Sequence, residues 1–270
     1  MAKIKHALLD TDFISKMHLI RKDDQNPLID KIMSMPNYLF YCHKQIYEEL
    51  TRHNIAGALE WLNDRINTKL IYMYDDERIL DELSDVYGDL AISAYINMLK
   101  TACDAYEDGY FEKKFNLVSK SDGLHMNKRD FLKQLEDDCN KIGKGQNLGE
   151  LKSYVLLQTL YLKYGEQIYV FCSDDKNARN GVVSIGNVRC ISVISSFIRL
   201  KKELNFTKEE AMPYINSFMN MCLGKEQTTF KVQDTSKEKR MCKIPCEQVF
   251  EDIFEGKIDE LMTGQLRYKQ

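Results

Sequence analysis

The sequence predicts an α/β fold built on a mainly parallel sheet. Three observations carry that expectation. Apolar runs of strand length, in "KIKHALLD", "NYLFYC", "KLIYMY", "QIYVF" and "VRCISVI", are separated by helical patterns rather than tight turns. That alternation gives parallel strands joined by helical crossovers. Glycine (13) and proline (4) are scarce in 270 residues, which favours helices over irregular chain. Hydrophobic residues make up 44%, enough for a sizeable core.

Taken in order, the first strand ends at Asp10, and "FISKMHLI" continues as a helix with Phe13, Ile14, Met17 and Ile20 on its apolar positions. "NPLIDKIMSM" reads as a helix capped by Asn26 with Pro27 at its first position. "HKQIYEELTRH" is a helix after the second strand. The pattern is helical from Asp75 to about Phe115 and again from Lys128 to Ile142. "GKGQNLG" has no Walker lysine pattern and reads as a connector into the helix of "GELKSYVLLQTLYLKYG". A strand, an acidic turn, a short helix "KNARNGV" and a last strand follow. Beyond Ser195 the chain turns helical, with a capping box at Thr207–Glu210 and one or two helices in "VFEDIFEGKIDELM".

Composition narrows the function. No apolar run approaches the roughly 20 residues that span a bilayer, and the N-terminus lacks a signal-peptide core. A cytoplasmic protein with reduced thiols and no membrane partner is expected. The spacing of Cys222, Cys242 and Cys246 does not fit a zinc knuckle. The net charge of −3 confines any nucleic-acid contact to a local basic patch. The richest basic segment is "KEKRMCK", with Lys237, Lys239, Arg240 and Lys243; a solvated surface is the plainer reading of it.

Chemistry concentrates in acids. Asp10, with Asp12 nearby, ends the first strand, and Glu49 lies in the helix after the second. Glu150 opens a helix, and Asp174 and Asp175 in "FCSDDKNARN" follow a later strand. The C-terminal ends of parallel strands share one edge, where ligands bind, and helix N-termini reach it. Taken singly, these residues could be caps, turn residues or solvated helix charges. Taken jointly, carboxylates gathered without matching Lys or Arg invite Mg²⁺ or Mn²⁺. Such ions orient and activate water for phosphodiester hydrolysis. Tyr47 and Tyr154, beside Glu49 and Glu150 in sequence, are candidates to stack bases.

The order and wording of these segments resemble the PIN-domain nuclease family. "ALLDTDFIS" resembles its opening strand and first metal-binding Asp, here Asp10. "CHKQIYEELTR" resembles the helix bearing Glu49, "GELKSYVLLQTL" the helix start bearing Glu150, and "VFCSDDKNAR" the final acidic turn. The resemblance implies a three-layer α/β/α fold over residues 1–205, with a helical insertion at about 75–145 and a mostly helical extension at 206–270. It implies that Asp10, Glu49, Glu150 and Asp175 are catalytic and hold Mg²⁺ or Mn²⁺. Asp174 would be a neighbour or added ligand, and Thr11, Asp12 and Ser173 would support them. RNA is the implied substrate, with single-stranded DNA left open. Compact toxin members are held by an antitoxin, so a toxin or defence role, a protein inhibitor or activator, and a homo-oligomer are further expectations.

Two other readings stay open. "DTDFI" also resembles the opening of haloacid-dehalogenase phosphatases, with Asp10 as nucleophile and Asp12 as general acid. That reading leaves Glu49 and Glu150 idle. A PIN-like fold used only to bind RNA is the non-enzymatic alternative.

Overall fold

The computed structural model describes residues 3–53, 55, 57–117, 126–143, 147–175, 182, 186, 188–221, 227–233 and 239–257. Residues 176–181 of the expected helix "KNARNGV" lie outside the described residues. The chain divides into two compact units, one of residues 1–15 and 37–192, the other of 16–36 and 193–270.

The first unit is built on five strands: β1 (Lys5–Leu9), β2 (Tyr38–His43), β3 (Ile71–Tyr74), β4 (Ile168–Cys172) and β5 (Arg189–Ile191). They run in the order β3-β2-β1-β4-β5, and every pairing is parallel. The fold is therefore α/β with an all-parallel central sheet, consistent with three α/β/α layers. Four consecutive residues at the end of β1 and of β4 are buried, so both faces of the central strands are covered. That explains apolar runs without alternation.

Helices fill the crossovers. α1 (Thr11–Leu19) leaves β1, and the short α2 (Leu28–Met33) belongs to the second unit. Pro27, not Asn26, is the cap residue of α2, and no side chain caps it. Back in the first unit come α3 (Lys44–His53), α4 (Ala58–Asn67), α5 (Asp76–Tyr87), α6 (Ala91–Asp104), α7 (Tyr110–Lys114), α8 (Lys128–Ile142) and α9 (Leu148–Tyr164). One face of the sheet gives Leu8, Tyr41, Tyr74 and Phe171 to a core shared with α5, α6, α8 and α9. Tyr95 and Phe131 meet edge to face inside it, with centroids 5.3 Å apart. α9 is buried along nearly its whole length, which makes it the central helix of this layer.

The second unit contains α2, α10 (Val193–Leu204), α11 (Lys208–Met221) and α12 (Cys246–Phe254). Phe250 joins its core to Phe197 and Phe218 through edge-to-face contacts at 5.0 and 5.7 Å. The capping box forms: Glu210 N–H donates to Thr207 Oγ1 at 3.2 Å, and Thr207 N–H to Glu210 Oε2 at 2.9 Å. The extension is not helical throughout. β6 (Gln227–Gln233) and β7 (Lys239–Pro245) form an antiparallel pair, with Lys243 opposite Thr229. No described helix is long and apolar enough to cross a membrane.

Candidate functional site

Strand order decides where a ligand can sit. From β1 the chain builds outward through β2 and β3, then returns to place β4 on the other side of β1. Crossovers diverge between β1 and β4, and the crevice outside their C-terminal ends is where such sheets bind ligands. Asp10 follows β1 there, and Ser173, Asp174 and Asp175 follow β4.

The two strand ends are tied together. Asp10 N–H donates to the Cys172 carbonyl at 3.0 Å, extending the ladder by one residue. Ser173, fully buried, donates its hydroxyl to Asp10 Oδ2 at 2.7 Å and accepts the Asp175 N–H at 3.2 Å. Asp10 Oδ1 accepts the Thr11 N–H at 2.8 Å. Asp10 is only 4% exposed, whereas Asp174 is half-buried and Asp175 exposed. The serine before the acidic pair thus sets the orientation of the aspartate on the neighbouring strand.

Glu49 joins from α3. Its Oε2 accepts the Thr11 hydroxyl at 2.6 Å, and its Oε1 lies 3.8 Å from Arg52. Beside it begins α9, preceded by Asn147 in the left-handed region at φ 59°. A Cβ on Gly149 would stand 2.8 Å from Glu49 Oε2 and 3.1 Å from the Ile46 side chain. Only glycine lets α9 start this close to α3, and the next residue is Glu150.

The acids feel one another. Burial pushes Asp10 well above the ordinary carboxylate range, and the Glu150 charge adds to it. The Ser173 hydrogen bond opposes the shift, while Asp12 and Glu49 raise it further. Glu150 is pushed up to about 7 by burial, then by Glu49, Asp175 and Asp12, against its own backbone N–H. Asp10, Asp12, Glu49, Glu150 and Asp175 therefore belong to one electrostatic neighbourhood. Among the described residues, no three His, Cys, Asp or Glu side chains form a ready-made metal cage. The donor set is nevertheless all oxygen and net acidic, the type that hard divalent cations take.

Other candidates fall elsewhere. Tyr154 is 6% exposed and part of the apolar core, so it lines no groove. Lys239, Arg240 and Lys243 lie on β7 of the second unit, where Lys243 is exposed; Lys237 is outside the described residues.

Three features were missed by the sequence reading. One is the close approach at Gly149. Another is Tyr106, just past α6, whose hydroxyl oxygen is buried without a hydrogen-bond partner among the described residues. An O–H left in that state costs about 1–3 kcal/mol. The third is a polar network around Asp76, at the start of α5. Lys152, 1% exposed on α9, donates to both Asp76 oxygens at 2.8 and 2.9 Å. The Tyr95 hydroxyl also donates to Asp76. Gln45 N–H donates to His43 Nδ1 at 3.0 Å, so Nε2 carries the ring hydrogen and faces Asp76 at 3.2 Å.

No protein-family model matches this sequence, and no curated protein is significantly similar to it.

Proposed function

We propose that the chain is a metal-dependent nuclease of the PIN-like kind, hydrolysing phosphodiester bonds in RNA. One observation carries this reading. Asp10 and the Ser173–Asp175 turn are hydrogen-bonded together at the crevice between β1 and β4, with Glu49 and Glu150 in the same field. Acids held against mutual repulsion in that place are suited to a cation.

Asp10, Glu49, Glu150 and Asp175 would hold Mg²⁺ or Mn²⁺, with Asp174 adjacent. The bound ion would supply an activated water and neutralise charge developing on the phosphoryl group. The chain's own residues supply the order. Ser173 and the Thr11 N–H fix both oxygens of Asp10, and the Thr11 hydroxyl fixes Glu49. A cation there would favour the ionised forms of Asp10 and Glu150, opposing the burial and the neighbouring charges that raise them. A phosphatase nucleophile at Asp10 suits the site less well, since it leaves Glu49 and Glu150, in the same electrostatic field, without a part in the chemistry.

The test is cleavage of a mixed structured and single-stranded RNA pool in Mn²⁺ or Mg²⁺ against EDTA. Metal-dependent cutting by wild type should fall to background in Asp10→Asn. RNA binding without cutting would favour a binding module. Phosphatase activity lost in Asp12→Asn would favour the dehalogenase-like reading.

A further inference from the structure

Glu49 offers its two oxygens unequally. Oε2 accepts the Thr11 hydroxyl at 2.6 Å, which fixes the carboxylate against the residue that follows Asp10. Oε1 makes no hydrogen bond among the described residues. What it meets is the Arg52 guanidinium at 3.8 Å, about one turn further along α3. That distance is too long for a hydrogen bond. Arg52 is therefore drawn to Glu49 by charge alone, with its side chain 36% exposed against 18% for Glu49. Helical ion pairs of this spacing hold weakly when they face solvent, so the guanidinium can leave Glu49 at little cost.

This pairing conflicts with the role proposed for Glu49. A divalent cation at the cluster would take the open oxygen, Oε1, and its charge would repel the guanidinium. Arg52 would then stand on the exposed side of Glu49 with its N–H donors unused. A nucleic-acid strand brings the complementary group. Each phosphodiester carries a negative charge on its non-bridging oxygens, and a guanidinium presents parallel N–H groups that match two oxygens at once. The strand must also approach carboxylates that repel it, and a permanent positive charge beside them eases that approach.

We propose that Arg52 exchanges partners: in the free chain it pairs with Glu49, and with cation and RNA bound it donates to the non-bridging oxygens of a phosphodiester at the carboxylate cluster. The proposal rests on the nuclease reading above. α3 then contributes a cation ligand and, three residues on, a substrate contact.

The test compares the full-length wild type with Arg52→Gln and Arg52→Lys, replacements of an exposed side chain that leave the fold intact. Binding of a short single-stranded RNA is read by fluorescence anisotropy over a series of salt concentrations in Ca²⁺, a hard cation for the same oxygens. Arg52→Gln should weaken binding roughly 10-fold, as loss of a hydrogen bond to a charged group does. The slope of log affinity against log salt should become shallower by about 0.7, the value of one phosphate contact on a single strand. Arg52→Lys should keep the wild-type slope but recover only part of the affinity, since an ammonium retains the charge and loses the planar fork. Mn²⁺ titration without RNA, read by calorimetry, should show Arg52→Gln binding the ion as tightly as wild type or more tightly, because a competing charge has left Glu49. Wild-type RNA affinity and salt slope in Arg52→Gln, or Mn²⁺ binding weaker than wild type in that variant, would each overturn the proposal and leave the nuclease reading intact. A wild-type chain that neither binds nor cuts RNA would remove both.

Discussion

Two carboxylates near the C-terminal edge of the same sheet, Asp10 buried and Asp76 half-buried, are in opposite states. Asp76 meets Lys152, Tyr95 and His43. Burial works against its ionisation, but Lys152 and then His43 hold it far below the ordinary range. Asp10 meets hydroxyl and amide donors, yet burial, with Glu150 and other acids adding to it, holds it well above that range. The first group is complete: its charge is balanced and its donors are used. The second gathers acids: burial and then the neighbouring carboxylates raise Glu150 to about 7, and the Tyr106 hydroxyl is buried with no hydrogen-bond partner among the described residues. Protein interiors pair their charges, so the cluster around Asp76 reads as structure, and the acids around Asp10 are the ones that the proposed function assigns to a cation. The network around Asp76 also anchors the side chain of Lys152, two residues past Glu150 on the same helix, and so steadies the start of α9.

The comparison breaks most visibly at Lys152. Lys152→Met leaves Asp76 with its main counter-charge gone and should cost about 3 kcal/mol in urea unfolding, as loss of one partner of a buried pair does. Asp10→Asn, which relieves repulsion, should stay within about 1 kcal/mol of wild type by the same measurement. Similar losses in both variants would show that the two clusters are alike.

Acid pH separates them next. Glu150 rises from an ordinary 4.5 to about 7 on folding. Between those values the folded chain binds more protons than the unfolded one, so stability present below 4.5 drains as pH rises towards 7. The change is on the order of 2 kcal/mol. Thermal midpoints of the cation-free chain should fall over this window, and Glu150→Gln should flatten the slope.

Ser173 gives the smallest of these effects. Ser173→Ala removes the bond that orients Asp10 and should weaken Mn²⁺ binding roughly 10-fold, as loss of an outer-shell partner does. Calorimetry would read it, and an unchanged affinity would mean that Asp10 needs no such support.

The parts of this arrangement legible in sequence were the local ones. Asp10 and Asp175 could be placed because each follows an apolar run that ends a buried strand. The bounds of α8 were readable because Asn127 accepts the Asp130 N–H and Gly143 takes φ 78° just past its end. The β6–β7 hairpin was not legible. Its strands "QTTFKVQ" and "KRMCKIP" are rich in polar and basic residues, and that composition reads as solvated surface. Tyr154 was misplaced because proximity in sequence to Glu150 says nothing about which side of a fully buried helix it occupies. Lys152 lies 76 residues from Asp76, so only the folded chain brings the pair together.

The central claim is that the cluster around Asp10 awaits a cation. Its most direct test is Mn²⁺ titration of the full chain by calorimetry at pH 6, in buffers of different ionisation enthalpy, for wild type and Asp10→Asn. The account predicts that wild type binds with release of about one proton or more, because Glu150 and Asp10 must ionise, and that Asp10→Asn loses the binding. Absence of binding by wild type, or equal binding by the variant, would contradict it.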